Sequence, residues 1–336
     1  MTPPSETAAA EIQVEADFEE LAEQKPWHTR TIEMARRQPL AASGFVIIIL
    51  MLLMAIFADL LTVFPAEDND LEYMLAEPGT VHSDLELSFL LGADQFGRDL
   101  LTRIIYGART ALFVGFTCAI IGSTLGLILG VASAYFGGLF DLIVQRIVDV
   151  VMAFPLIILA LAVVATLGPG TQNVIIAITI PFIPQCARVV RSNALAIREI
   201  PYVDAARALG FSHTRIILRH MIPNVMAPYL IMLTSFLGQA ILLEASLSYL
   251  GMGVQEPTPA WGLMLQGGAE EFAESAPWIA IWPGVAISLA VFGFAGLRII
   301  PLASSIIRLW VHLKYNLPVI DTVYHDFKFN NSESFK

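Results

Sequence analysis

Charged residues are scarce in this sequence, and their scarcity argues against a soluble protein. Charged residues make up 15% of the 336 residues, and hydrophobic residues make up 56%. Soluble domains carry about 25% charged and roughly 45–50% apolar residues. The stretch 150–187 contains no Asp, Glu, Lys or Arg. Because such a composition suits a lipid bilayer as solvent, it predicts an integral membrane protein.

Cysteine and the common catalytic motifs are also nearly absent. Cys118 and Cys186 both lie in apolar stretches, so we expect buried thiols and no disulfide framework. A phosphate-binding loop needs Gly-Lys followed by Ser or Thr, and none of the four lysines follows a glycine. HExxH and GxSxG do not occur. We therefore expect a chain that is no enzyme and holds no metal or cofactor.

Apolar runs predict an all-α protein with six transmembrane helices. A span needs about 20 mostly apolar residues. Five runs qualify, and the longest of them, 150–187, is divided at 168–170 into two spans. The spans lie in 40–58, 111–134, both parts of 150–187, 225–250 and 276–297. Gly122, Gly126 and Gly130 predict a close helix contact, and Pro155 predicts a kink.

The distribution of basic residues predicts the orientation. Segments 65–97 and 251–277 hold no Lys or Arg, whereas 188–224 holds six arginines. Because basic loops stay in the cytoplasm, both termini and 188–224 are expected there. The net charge of −11 argues against a nucleic-acid partner. Residues 1–26 lack the apolar core of a cleaved signal peptide, so 1–39 is expected to be a cytoplasmic tail.

The segment 199–224 has the signals of a helix-turn-helix. Pro201 suits a first helical position, and Gly210 suits the residue after a helix end. Ser212 is expected to cap a second helix that ends before Pro223. One apolar face of the first helix would comprise Tyr202, Ala205, Ala206 and Leu209. These signals alone leave two alternatives open: a plug that inserts into a partner, or an amphipathic loop on the headgroups.

The same segment resembles the coupling loop of type I ABC importers. Their pattern is E-A-A, three residues, Gly, nine residues and I-x-L-P; here Asp204-Ala205-Ala206, Gly210 and Ile222-Pro223 match it. Asp204 replaces Glu, and His220 replaces Ile, as it often does in the oligopeptide/dipeptide branch. The resemblance implies that the coupling loop, 195–224, docks on an ATPase subunit. The residues implied in coupling are Tyr202, Asp204, Ala205, Ala206, Gly210, His220 and Pro223.

Two further segments resemble that branch. Leu91 to Asp99 is similar to its L-G-T-D-x-x-G-R-D motif, with Ala93 in place of Thr, and 244–262 is similar to a second motif. The apolar stripe at 101–108 predicts a separate helix in the outer interface before the second span. Trp261, Trp278 and Trp282 are expected to be interface anchors. The residues implied in an outer-interface motif are Asp94, Gly97, Arg98, Asp99 and Arg103.

The resemblance implies a six-span importer permease for peptides or similar small solutes in the bacterial cytoplasmic membrane, with a cytoplasmic helix-turn-helix. Its implied partners are a sister permease, two ATPases that bind ATP and Mg, an extracytoplasmic solute-binding protein and the lipid bilayer. A secondary transporter driven by an ion gradient would need internal repeats and carboxylates at the membrane midplane. A membrane enzyme would need clustered catalytic groups. Neither alternative explains the 199–224 pattern.

Glu244 and the C-terminus leave alternatives open. Glu244 has either a role in the pathway or gate, or a structural pairing. The transmembrane domain is expected at 40–300, and the tail 301–336 departs from the family pattern. One hypothesis is a reading-frame change near 293–296, which would impair assembly. The other is a lineage-specific extension with an interfacial helix over 299–313.

Overall fold

The computed structural model describes Arg36 and residues 38–296, and within this part it is helical without a regular strand. Residues 1–35 of the expected tail 1–39, the whole expected tail 301–336 and the helix proposed over 299–313 lie outside the described residues. In chain order, the helices are α1 (Pro39–Ile56), α2 (Ala58–Leu61), α3 (Leu100–Phe136), α4 (Gly138–Met152), α5 (Leu156–Leu167), α6 (Thr171–Arg198), α7 (Pro201–Ala208), α8 (His213–Ile216), α9 (Met226–Tyr249), α10 (Trp261–Glu271) and α11 (Trp278–Gly296).

Among the described residues, five helical segments are long and apolar enough to cross a membrane, and α4 with α5 makes a sixth if the bent pair counts as one span. The prediction of six spans is therefore confirmed on that count. Apolar side chains such as Leu60, Leu139 and Ile147 are exposed on the chain. Exposure of this kind fits a protein whose solvent is lipid.

The predicted third span is broken at Pro155. Residues 150–167 are divided between α4 and α5, whose axes differ by 89°. Pro155 precedes α5 directly, where its missing N–H and fixed φ end one helix and begin the next. At about 1.5 Å per residue, the 12 residues of α5 cover about 18 Å, less than a bilayer core of about 30 Å. The predicted third span is therefore broken at the expected kink, and it counts as one span only when α5 is taken together with α4.

The interfacial helix predicted before the second span was also wrong. Residues 100–109 form the first turns of α3, which continues without a break for 37 residues. Asp99 begins this helix, and its carboxylate accepts the backbone N–H of Thr102. The apolar stripe at 101–108 faces protein, because Ile104, Ile105 and Ala108 are buried.

Helices α3 and α6 form the centre of the bundle. Gly122, Gly126 and Gly130 line the contact, which confirms the predicted close packing. A Cβ at these positions would lie 2.7 Å from Phe182 Cβ, 2.5 Å from Cys186 Cβ and 2.6 Å from the carbonyl oxygen of Ala187. Small residues let two backbones approach, and dispersion then stabilises the pair without a hydrophobic driving force.

Candidate functional site: the two ends of the helix bundle

The bundle has two ends that carry the sequence motifs. We call the end with residues 199–224 and the last turn of α3 the loop end. The other end, with residues 63–109 and 251–261, is the motif end. Helix α3 runs from one end to the other.

At the loop end, residues 201–216 form the predicted helix-turn-helix. Pro201 begins α7, and Gly210 follows its end with φ +74°. The N–H of Gly210 donates to the Arg207 carbonyl and the N–H of Phe211 to the Ala206 carbonyl, a Schellman ending. Ser212 caps α8 by accepting the N–H of Arg215. These local predictions are confirmed, since each depends on short-range backbone geometry.

The second helix does not end before Pro223, and that prediction was wrong. The helical run continues from α8 through a π turn over Ile217–Met221 and a 3₁₀ turn over Ile222–Val225 into α9. Pro223 lies in the first turn of the 3₁₀ segment, where a missing N–H needs no partner. The loop end is therefore joined to α9 by continuous helix.

The buried face of α7 differs from the predicted one. Val203 and Ala206 are buried, whereas Tyr202, Ala205 and Leu209 are exposed, Leu209 at 74%. Of the predicted face only Ala206 is buried, and the sequence pattern did not include the buried Val203. An exposed apolar and small-residue face outside the bundle is a surface suited to a partner.

A polar clasp holds the two halves of the coupling loop together. The Tyr202 hydroxyl donates to the backbone carbonyl of His220 over 3.2 Å, and the Asn224 amide donates to the same carbonyl and to the Tyr202 oxygen over 2.6 and 3.0 Å. The His220 ring stacks on Phe211 with centroids 6.2 Å apart. His220 thus packs inside the loop. Asp204 is on its outer side, paired with Arg207 at 3.0 Å.

The motif end contains a buried ionic cluster. Arg98 Nε lies 2.8 Å from Asp94 Oδ2, and its other nitrogens bind both carboxylate oxygens of Glu256 at 2.7 and 3.2 Å. Arg103 donates to the carbonyls of Ala66 and Pro257 and lies 3.4 Å from Glu256 Oε2. Both guanidinium groups are buried. The cluster therefore ties the 63–99 lobe, the start of α3 and the 251–261 loop together.

Backbone geometry explains two other motif residues. Gly97 has φ +77°, and a Cβ there would lie 1.6 Å from the Asp70 carbonyl oxygen, so only glycine fits. Asp99 is buried at the start of α3, and this burial raises the pKa of its carboxyl. Nearby, Asp59 is exposed; hydrogen bonds from Arg109 and then Tyr106 lower its pKa from 3.8 to about 2.

Trp261 was wrongly predicted to be an interface anchor. It is 3% exposed, packs against Gly107, and its indole N–H donates to the Ile104 carbonyl over 3.0 Å. Trp278 is half-buried and donates to the Ala93 carbonyl over 3.3 Å. Trp282, at 36%, is the more exposed of these indoles. The indole rings of Trp261 and Trp278 thus form contacts between segments that are far apart in sequence.

Glu244 is enclosed by its own chain. It is 1% exposed and accepts the Ser248 hydroxyl over 2.7 Å, and Ser248 in turn accepts the N–H of Val254 over 3.1 Å. Lining an open path would require the surrounding helices to part, so a pathway role for Glu244 stays a prediction. The observed contacts attach the start of the 251–261 loop to α9.

Sequence reasoning missed Glu256 and Asn224 as partners. Both lie in segments that the sequence analysis singled out, Glu256 within 244–262 and Asn224 within 199–224, but neither was given a role there. The sequence-level signal for Glu256 was charge balance: Arg98 and Arg103 lie in an otherwise acidic region and need carboxylates. The match lies 158 residues away from Arg98, so spacing could not reveal it.

Comparison with known proteins agrees with these motifs. Residues 122–302 match the family described as binding-protein-dependent transport system inner membrane component, and residues 26–78 match the N-terminal TM domain of oligopeptide transport permease C. The dipeptide transport system permease protein DppC of Alkalihalophilus pseudofirmus is 42% identical over 273 residues, covering 80% of this chain and 86% of the relative.

Two further likenesses were found. The glutathione transport system permease protein GsiD of Escherichia coli O6:K15:H31 is 38% identical over 269 residues, covering 80% of this chain and 86% of the relative. A solved structure of the inward-facing MetNI methionine ABC transporter has a TM-score of 0.48 and 22% identity, covering 60% of this chain and 96% of that one.

The family match covers more than half of the chain, and it favours the importer over a secondary transporter or an enzyme. In this family, nucleotide binding belongs to ATPase partners, with which the permease works alongside other permease subunits. The chain therefore belongs to the inner membrane components of binding-protein-dependent transport systems: it is a multi-pass permease subunit of an ABC importer with the type I permease fold, and it is not an enzyme.

Proposed function

We propose that this permease imports di- or oligopeptides across the bacterial cytoplasmic membrane. The relatives that support this substrate class are named as dipeptide and glutathione transport permeases, and glutathione is itself a small peptide. The proposed complex contains this chain, a sister permease, two ATPases that bind ATP and Mg, and an extracytoplasmic solute-binding protein.

In the proposed orientation, the loop end faces the cytoplasm and the motif end faces outward. The arginines of 188–224 support this orientation, as does the absence of Lys and Arg from 65–97 and 251–277. Both termini are then cytoplasmic, with 1–39 as an N-terminal tail. The permease domain would span 40–300, and the hypothesis of an altered, assembly-impairing tail concerns 301–336.

The single observation that carries the proposal is the exposed face of a folded coupling loop. Leu209, Ala205 and Tyr202 are exposed although the helix that bears them is capped and clasped. A prefolded apolar face loses little conformational entropy when a partner binds it. We assign ATPase docking to this face, with Asp204 at its edge and Gly210 forming the turn. In this arrangement Ala206 and His220 support the face from inside, and Pro223 lies in the 3₁₀ turn that joins the loop to α9.

A pull-down from membranes that contain the complete transporter tests this assignment. The variants are Leu209→Asp and Ala205→Arg, because both positions are exposed and their substitution leaves the packing of the chain unchanged. We expect both to insert into the membrane and to lose at least tenfold of the ATPase recovered by wild type, since a charge on a desolvated contact is costly. The matched control is Leu71→Asp, an equally exposed leucine of the 63–99 lobe at the motif end.

Two results would contradict the proposal. One is a wild-type chain, expressed with its partners, that recovers no ATPase subunit. The other is equal recovery with Leu209→Asp and with Leu71→Asp. The substrate class is tested by ATP-dependent uptake of a labelled dipeptide, with the corresponding free amino acids as control; uptake of the amino acids alone would exclude peptides.

A further inference from the structure

The last turn of α3 contacts both helices of the coupling loop. The Tyr135 hydroxyl lies 2.7 Å from His213 Nδ1, at the start of α8. The guanidinium carbon of Arg207, on α7, lies 5.1 Å from the centre of the Tyr135 ring. Tyr135 is 6% exposed. One aromatic side chain of the bundle is therefore held by the coupling loop on two sides.

This contact joins segments that the chain does not connect directly. Tyr135 precedes His213 by 78 residues, and the loop is covalently attached to α6 and α9 instead. Beside it, Arg198 Nη1 donates to the Ala134 carbonyl over 2.8 Å. Tyr135 is buried whereas His213 is exposed, so the hydrogen bond lies at the edge of the bundle, where the coupling loop meets α3.

The other end of α3 holds the 251–261 loop. Thr110 Oγ1 donates to the Pro259 carbonyl over 2.8 Å, Arg103 donates to the Pro257 carbonyl, and the Ile104 carbonyl accepts the Trp261 indole. Helix α3 is uninterrupted over its 37 residues, Leu100–Phe136, and is about 55 Å long at 1.5 Å per residue. A displacement applied at Tyr135 therefore acts on a helix whose other end contacts the 251–261 loop.

We propose that Tyr135 is a positioning residue for transport: through His213 it attaches the coupling loop to α3, so that the ATPase moves α3 together with α6 and α9. The inference rests on the proposed docking of the loop on the ATPase. In this role Tyr135 acts through His213 and not directly on nucleotide or solute. Without the attachment, the loop can follow the ATPase while α3 and the 251–261 loop stay behind.

The test measures solute imported per ATP hydrolysed in proteoliposomes that contain the complete transporter and a labelled dipeptide. Tyr135→Phe removes the hydroxyl and keeps the ring under Arg207. We expect this ratio to fall about fivefold, the factor that corresponds to one net hydrogen bond of about 1 kcal/mol. Recovery of the ATPase pair should stay at the wild-type level. A merely structural defect would lower import and hydrolysis together and leave the ratio unchanged.

A double-mutant cycle and a control complete the test. His213→Ala should lower the ratio similarly, and the double variant should be no worse than either single one, because both remove the same bond. Tyr73→Phe is the control, since its hydroxyl contacts Ser83 within the 63–99 lobe, and it should keep the wild-type ratio. A wild-type ratio for Tyr135→Phe, or additive effects in the double variant, would overturn the inference. Failure of the proposed function is recognised separately, as a wild-type complex without ATP-dependent import.

Discussion

The loop end and the motif end both carry charged and aromatic side chains, but they use them differently. At the motif end, Arg98 and Arg103 are buried, and their charges are matched by Asp94 and Glu256 of the same chain. At the loop end, the ion pair of Asp204 and Arg207 is exposed, and the apolar Leu209 faces outward.

The difference distinguishes a self-contained end from one that, in the proposed complex, a partner completes. A buried charge pair is costly to break, and its charges are not accessible to another protein. An exposed apolar face lowers the stability of the isolated chain little, and it contributes binding free energy only when another protein covers it. We therefore expect substitutions at the motif end to change stability and substitutions at the loop end to change assembly.

Asp94→Asn should give the largest loss of stability. It leaves Arg98 and Arg103 buried with one carboxylate fewer, and removing one partner of a buried pair typically costs about 3–5 kcal/mol. The measurement is the free energy of unfolding, or the melting shift, of the purified complex in detergent. Glu72→Gln, an exposed acid of the same lobe, serves as control. Equal melting of Asp94→Asn and the control would mean that the cluster does not hold this end together.

Trp261→Phe should destabilise the same end by about 1–2 kcal/mol, because the buried indole hydrogen bond to Ile104 is lost. Trp282→Phe removes an indole that is more exposed and should change the melting temperature little. Because neither variant changes the coupling loop, the pair measures stability at the motif end separately from assembly at the loop end. ATPase recovery below the wild-type level in Trp261→Phe would argue that the two ends are not independent.

Gly210→Ala should affect assembly more than stability. At φ +74° an alanine costs about 1–2 kcal/mol of backbone strain, and no atom lies within 4 Å of the added Cβ. Because the strain falls on the turn of the coupling loop, we expect a several-fold weaker affinity for the ATPase pair. Gly79→Ala carries similar strain at φ +93° in the 63–99 lobe. If both variants bind the ATPase equally, the turn geometry is irrelevant to docking.

Asp59→Asn should give the smallest effect, and one that depends on pH. Hydrogen bonds from Arg109 and Tyr106 lower the Asp59 pKa from 3.8 to about 2, so the stabilisation is present above pH 4 and is lost as the pH falls towards 2. Since Asp59 is exposed, the melting difference between variant and wild type should be slight. It should be constant from pH 8 to pH 5. A difference that grows on acidification would contradict the assigned ion pair.

Local features were the most predictable from sequence. Pro201, Gly210 and Ser212 each act within a few residues, and the structure has them in the expected capping positions. The close helix contact at the three glycines of α3 was equally predictable, because small residues at four-residue spacing leave one groove along a helix. The break at Pro155 was expected as a kink, but its 89° angle depends on the packing of α4 and α5.

Contacts between distant segments could not be read in this way. Glu256 lies 158 residues from Arg98, and His213 lies 78 residues from Tyr135. No periodicity encodes such distances. For the same reason, Trp261 resembled a membrane anchor, although Gly107 gives it space inside the protein.

The sequence by itself determined that this chain is helical, that lipid is its solvent, and which short segments carry the family motifs. Hydrophobic run length and local backbone preference decide these features, and both act over fewer than about 20 residues. Only the tertiary structure decided which charges are buried together, which face of α7 stays exposed, and that α3 links the two ends. Those outcomes depend on which helices pack side by side, and packing joins residues without regard to their distance along the chain.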